Sequence, residues 1–367
     1  MTQKIALILL AILLCNCSND DAQNPTTTDK PDPDSTSKNY FPPITGTNWE
    51  TNSLQELDWD TTAEQELYTF LEERDTEAFI ILKDGKIVIE KYFNESTISS
   101  NHPWFSVGKS LTAFTMGITQ QEGFLKLNES SSKYLGTGWS NMNSTQEDAV
   151  LIKNHLTMTT GLEYDITNNN CTDPECLTYK NPPGIFWFYH TGAYTLATTI
   201  ISNATEMDYN DYVRSRISDQ IGMDGDYLSL GYAKVFFSTA RSMARFGLLV
   251  LNEGIWDGTA ILNDNNYFEA MTTTSQDQND AYGYLWWLNG KESFRAPTLE
   301  SEFPGKLIQS APDDLIAGLG KDDQKLYVVP SQNIVIVRLG DKGSTQTLLG
   351  SSGFDNEIWE KINALIK

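Results

Sequence analysis

Two rhythms of apolar residues run along this chain, and their order sketches an architecture. Between residues 61 and 74, Leu67, Phe70 and Leu71 recur at helical spacing. Two short apolar runs follow, Phe79-Ile80-Ile81-Leu82 and Ile87-Val88-Ile89, on either side of Asp84-Gly85. Asp-Gly tolerates the left-handed backbone of a tight turn, so this stretch predicts a β-hairpin. From Ser106 to about residue 235 the pattern is mostly helical. Its first segment puts Leu111, Phe114, Thr115 and Ile118 on one face and stops near Gly123. Met243, Phe246, Leu248 and Leu249 predict a further helix after Ser238, and the aromatic run from Tyr282 to Leu288 predicts a strand. Leu326–Val329 and Ile334–Leu339 predict two more strands, joined at Pro330-Ser331-Gln332-Asn333. Ile358, Ile362, Leu365 and Ile366 predict a closing helix. Strands at both ends with helices between them predict one sheet assembled from both termini. The fold class is an α/β sandwich, a mainly antiparallel sheet flanked by helices, plus a mostly helical subdomain. The sheet region draws on residues 46–105 and 236–367, the helical region on 106–235, and a nucleophile at residue 106 falls at their junction.

The N-terminus obeys neither rhythm. Lys4 precedes an unbroken apolar run from Ile5 through Leu14, too short to span a bilayer comfortably. Leu14-Cys15-Asn16-Cys17 resembles a bacterial lipobox, with Cys17 the residue to be acylated after cleavage. Residues 1–17 are therefore expected to be a lipoprotein signal peptide. Residues 18–45, rich in Thr, Pro, Asp and Ser, read as a flexible tether. The expected location is the periplasm or cell surface, anchored to the outer membrane, with the lipid as the only membrane contact.

Composition narrows the partners. The 367 residues carry a formal net charge of −23, which argues against nucleic acid and against an anionic membrane surface. Beyond Cys15 and Cys17, only Cys171 and Cys176 remain, five residues apart around an Asp173-Pro174 turn. In an oxidising compartment such a pair predicts a local disulfide. With only His102, His155 and His190, and no His-Glu-x-x-His or paired Cys-x-x-Cys, no metal site is expected.

The candidate chemistry lies in Ser106-Val107-Gly108-Lys109. Residues three apart on a helix share a face, so the Lys109 amine can reach the Ser106 hydroxyl. A serine hydroxyl is a weak nucleophile until its proton is taken, and a desolvated lysine can take it. The helix N-terminus offers free N–H groups where an oxyanion would form. The same spacing occurs at Ser35 to Lys38 and at Ser130 to Lys133, in a linker and in a polar run. Only Ser106 is flanked by an apolar helix and by Trp104-Phe105.

Ser-x-x-Lys matches the signature of penicillin-interactive serine enzymes. Further stretches follow in order: Asn154-His155-Leu156-Thr157-Met158-Thr159-Thr160-Gly161-Leu162, Pro183 to Tyr189, Ser238 to Gly247, Tyr282 to Leu288 and Gln324 to Pro330. Together they make almost the whole mature chain resemble the β-lactamase-related serine hydrolases: class C β-lactamases, DD-peptidases, related esterases and 6-aminohexanoate-dimer hydrolases. The resemblance implies that Tyr189 is the proton-transfer partner of Ser106, at the head of a Tyr-x-Asn motif whose third residue is here Thr191. A phenol with a pKa near ~10 becomes a base at neutral pH only if an ammonium lowers it, a task that falls to Lys109. His190 is expected to line the rim. The third motif of the family, Lys/His-x-Gly on a strand, maps to Gly318-Leu319-Gly320-Lys321. The glycines are expected to admit substrate close to the strand, and the Lys321 N–H to join that of Ser106 as the oxyanion hole.

The implied activity is two-step acyl transfer through a Ser106 acyl-enzyme, without a cofactor, on a small ester, amide or peptide. An esterase or amidase is favoured. A β-lactamase or DD-peptidase is the alternative, set back by Gly318, because the family's Lys or His there helps bind the carboxylate of penicillin-like substrates. A catalytically silent envelope binding module is the reading from another class, kept open by the altered second and third motifs. No serine lies in Gly-x-Ser-x-Gly, which argues against the other common serine-hydrolase fold.

Overall fold

A computed structural model gives the fold, and it describes residues 39–343 and 353–366. The signal segment, Cys17 and the tether through residue 38 lie outside the described residues. Helix α1 (Glu64–Glu73) buries Leu67, Phe70 and Leu71, the three positions its spacing singles out. Strands β1 (Thr76–Lys83) and β2 (Lys86–Tyr92) form the expected antiparallel hairpin. Asp84 and Gly85 at its tip take φ of 54° and 79°, the left-handed region that this turn demands.

Short strand β3 (His102–Pro103) leads into α2 (Val107–Gln121), and α3 (Thr191–Thr205) lies against α2. Strands β4 (Asp226–Leu230) and β5 (Ala233–Ser238) and helix α4 (Ala240–Leu251) return the chain to the sheet. The last strands are β6 (Trp287–Leu288), β7 (Ile316–Leu319), β8 (Lys325–Val329) and β9 (Ile334–Gly340), followed by α5 (Gly353–Ile366). The main sheet runs β2-β1-β9-β8-β7-β6 and is antiparallel throughout. Both termini thus build it, with the helical region inserted between.

Alternation along β8 explains the layering. A Cβ on Gly247 of α4 would lie 2.8 Å from Leu326 Cδ1 and 2.5 Å from Val335 Cγ1, so these residues face α4 at close range. The next residue, Tyr327, points to the other face, where its ring meets Trp359 of α5 at 5.6 Å. A period of two therefore places helices on both faces of one sheet.

Three boundaries differ from the sequence expectation. The helical region 106–235 also contains β4 and the start of β5, which join β3 in a small antiparallel sheet. The run Tyr282–Leu288 is a strand only at Trp287–Leu288. Before it the chain turns, with Gly283 N–H donating to Trp286 O and Leu285 at φ 57°. Its aromatic density serves packing rather than pairing. Residues 39–45, assigned to the tether by composition, already lie on the body: Tyr40 N–H donates to Asp84 O, and Phe41 meets Trp256 edge-on at 5.0 Å. Among the described residues no helix is long and apolar enough to cross a membrane.

Candidate active site

Ser106 stands at the entrance of α2, and the segment before it is pinned. Trp104 N–H donates to Phe236 O on β5, and its indole N–H donates to Ser238 Oγ at 2.8 Å. Phe105 then takes a φ of 45°, a left-handed value uncommon for an aromatic residue. Such backbone persists where the surroundings over-determine it. Here it turns the chain sharply from β3 into the helix and presents Ser106 at its mouth.

One turn on, Lys109 is 4% exposed, and its Nζ lies 3.0 Å from Ser106 Oγ. Its other neighbours are aromatic faces, the Tyr194 ring at 4.5 Å and the Tyr189 ring at 5.1 Å. No carboxylate among the described residues forms an ion pair with it. Burial without a counter-charge disfavours the ammonium and brings the Lys109 pKa down to about 7. The wall behind the amine is a phenol cluster in which Thr112 Oγ1 meets Tyr209, Tyr227 and Tyr194, while Tyr227 donates to Gly108 O. Sequence reasoning missed this cage. Its tyrosines come from three separate segments and carry no shared motif.

Tyr189 also neighbours the Ser106 hydroxyl. Burial raises its phenol well above the ordinary value, and the neighbouring Ser106 hydroxyl opposes that only in part. The expectation that Lys109 lowers the Tyr189 pKa therefore fails, because desolvation of the buried phenol is the dominant effect on it. Tyr189 therefore keeps its proton at neutral pH. Its ring stacks on Trp287 at 5.9 Å.

The strand at the third motif packs tightly against the start of α2. A Cβ on Gly318 would lie 3.0 Å from Val107 Cγ1 and 3.4 Å from Ser110 Oγ; one on Gly320 would lie 2.7 Å from Trp104 O. These glycines let the end of β7 and the residues after it lie close to the start of α2. The consequence is still useful. Neither Ser106 N–H nor Lys321 N–H donates to a backbone carbonyl among the described residues, and both residues border one cleft. The Lys321 side chain is largely exposed and pairs with Asp322 at 3.2 Å.

That cleft, of about 270 Å³, is bordered by Ser106, Tyr189, Thr191, Trp287, Lys321 and a loop carrying Asn169 and Asn170. The loop was not singled out for chemistry, since asparagines in a polar stretch look like turn formers. Cys171 and Cys176, the pair that spacing predicted, are joined by a disulfide just after it. His190 does not line the rim. It is buried and caps α3, accepting at Nδ1 from Ala193 N–H. His155 is buried between Ser131 and Ala193 O. Burial lowers both imidazoles to about 4, so they stay neutral structural groups. Lys133, of the competing Ser-x-x-Lys match, is exposed and paired with Glu129 at 2.7 Å. Among the described residues, no group of three or more His, Cys, Asp or Glu side chains could hold a metal ion.

The antiparallel sheet with its inserted helices is the fold of β-lactamases and penicillin-binding protein homologues. A penicillin-binding protein homologue from Caulobacter crescentus superposes with a TM-score of 0.64 at 14% identity, covering 83% of this chain and 96% of that one. A β-lactamase/D-alanine carboxypeptidase from Yersinia pestis gives 0.61 at 16% identity, covering 83% and 99%. The Beta-lactamase family model matches residues 70–347, and the chain belongs to that family. In sequence it is similar to the 6-aminohexanoate-dimer hydrolase of Paenarthrobacter ureafaciens, 22% identical over 328 residues covering 77% of each chain.

Proposed function

We propose that this protein is a serine hydrolase that cleaves small esters or amides through an acyl-enzyme on Ser106. The observation that carries the reading is Lys109: buried, without a carboxylate and 3.0 Å from the Ser106 hydroxyl. With its pKa near 7, much of it is a free amine at neutral pH, able to take the serine proton as Oγ bonds to the substrate carbonyl. The tetrahedral oxyanion is met by the Ser106 and Lys321 N–H groups. Tyr189, whose phenol keeps its proton, passes one proton to the leaving group and is replenished from Lys109. Collapse expels the alcohol or amine and leaves the acyl group on Ser106. Water then gives a proton to Lys109 as it attacks, and the serine leaves with that proton restored.

Esters and linear amides fit better than penicillin-like substrates. The side chain that would sit at position 318 to bind a carboxylate is absent, and a Cβ there would press on Val107. The similarity to a 6-aminohexanoate-dimer hydrolase, an enzyme named for a linear amide, supports the same preference.

A fluorescent fluorophosphonate, run beside a fluorescent penicillin with peptide mapping, tests the reading. The expected result is fluorophosphonate on Ser106, lost in Ser106→Ala. Added penicillin labelling would move the assignment to a β-lactamase or DD-peptidase. No labelling of folded protein by either probe would overturn the hydrolase and favour a silent envelope binding module.

A further inference from the structure

Tyr189 and Tyr194 stand five positions apart, and the start of α3 between them brings both rings to one amine. His190 caps this helix by accepting at Nδ1 from Ala193 N–H, and Asn169 Oδ1 accepts from Thr191 N–H at 2.9 Å, so its first turn is pinned twice. Tyr189 lies just before that turn and Tyr194 at its end. Their ring centroids come within 5.1 Å and 4.5 Å of Lys109 Nζ. Tyr194 is 1% exposed. Its hydroxyl meets Thr112 Oγ1 at 3.4 Å, and Thr112 in turn meets the Tyr209 and Tyr227 hydroxyls at 2.8 Å and 3.1 Å. Tyr227 closes the knot by donating to Gly108 O at 2.6 Å, one residue before the lysine. The Tyr194 ring is thus tied at its hydroxyl to the helix that carries the amine. The titratable groups around Lys109 are phenols, Tyr189 and Tyr194 directly and Tyr209 and Tyr227 behind Thr112. On the cleft side Lys321 lies over the Phe105 ring at 5.2 Å and pairs with Asp322. Among the described residues Lys109 Nζ has one hydrogen-bond partner, Ser106 Oγ.

Resting on the hydrolase reading of Ser106, we infer that Tyr194 is a positioning residue for the base: its ring face holds the Lys109 amine on the Ser106 hydroxyl and supports the ammonium that forms there. An aromatic face carries the negative part of a quadrupole, which attracts a cation without bearing a full charge. When Ser106 attacks, its O–H bond breaks and the oxygen pair goes to the substrate carbonyl carbon. An N–H bond forms on Lys109, so a positive charge appears against the Tyr194 ring. A carboxylate in that place would keep the lysine charged at rest and deny it the proton. An alkyl wall would leave the new ammonium with less support. The ring face lies between those limits. It attracts enough to favour and orient the product of proton transfer, and too little to hold the proton beforehand.

The test follows the rate of Ser106 labelling by a fluorescent fluorophosphonate across the titration of Lys109. Wild-type protein is expected to label faster as pH rises and to level off above about 7. Tyr194→Leu removes the ring face and is expected to move the midpoint down by about half to one pH unit, the scale of one cation–π contact. The plateau rate should also fall about tenfold, because the amine is less well placed. Tyr194→Phe returns the face without the hydroxyl and should bring the midpoint back. Pentafluorophenylalanine in place of Tyr194 keeps the size of the ring and reverses its quadrupole, so the midpoint should fall although packing is retained. Lost packing alone acts the other way, since water reaching the amine raises the midpoint toward the ordinary lysine value. The fluorinated protein decides where the variants disagree or Tyr194→Leu does not fold. A midpoint that stays or rises in it while Ser106 still labels overturns the role of Tyr194 and leaves the hydrolase standing. A folded wild type that does not label at Ser106 overturns both.

Discussion

Lys109 and Lys325 are both shut away from solvent, at 4% and 0% exposed, yet they sit in opposite electrostatic settings. Lys325, on the central strand β8, lies 2.8 Å from Asp355 of α5 and 3.2 Å from Asp323. Tyr327 shares the same carboxylate by donating to Asp355, so strand and helix are joined through one buried polar knot. Lys109 has a serine hydroxyl and two aromatic faces instead. Burial is common to both; the counter-charge is not. A buried lysine becomes a base only where its ammonium is left without an anion, whereas carboxylates beside it make it a cross-link. One chain displays both settings.

The contrast breaks most visibly at Lys109. Lys109→Met is expected to lower kcat/KM on an ester about 10³-fold or more, by analogy with other nucleophile–base pairs that act as a unit. The same change should leave the fold as stable or raise stability by about 1–2 kcal/mol, because it removes a desolvated amine. Thermal unfolding beside steady-state kinetics checks both halves. A large drop in Tm would show that Lys109 is a structural cross-link after all.

Asp355→Ala should act in the reverse sense. It leaves Lys325 short of a buried partner and is expected to cost about 3–5 kcal/mol, read as a lower urea midpoint, while fluorophosphonate labelling of the folded fraction persists. A loss of labelling with unchanged stability would contradict the division of labour.

The smallest effect, and the one that sharpens the comparison most, is in pH. The folded Lys109 pKa is depressed to about 7, so the amine is charged below that value and neutral above it. On an ester, kcat/KM should climb up to tenfold per pH unit below about 7 and level off above it. Stability follows the same titration with its own sign. Between about pH 7 and the unfolded-lysine value near ~10.4, the unfolded chain holds one more proton at this site than the folded one, so stability rises with pH. It follows that the Tm advantage of Lys109→Met over wild type narrows as pH rises through that window. An advantage independent of pH would mean that Lys109 is not the depressed group.

Some of this was legible residue by residue. Asp84-Gly85 between two β-branched runs is a local instruction, because two residues must take positive φ and these two tolerate it. The three-residue step from Ser106 to Lys109 is equally local, since the helix repeat fixes which side chains share a face. Cys171 and Cys176 could find each other across a single turn. The aromatic run at 282–288 misled because the same residues suit a strand and a packed turn, and only neighbours choose between them. Gly318 and Gly320 are ambiguous for a related reason. The sequence shows that space is needed there, but not whether substrate or the α2 helix uses it.

The sequence by itself therefore determined the helices and hairpin, the serine with its adjacent amine, and the disulfide, all set by short-range spacing, while the order of its motifs carried the resemblance to the family. Only the tertiary structure decided that Lys109 lies among phenols without a carboxylate while Lys325 lies between two. It also decided that Tyr189 keeps its proton and that Asn170 borders the cleft of Ser106 from 64 residues away. Charge states and cleft walls depend on what surrounds a group in space, and in this fold those surroundings come from segments far apart in the chain.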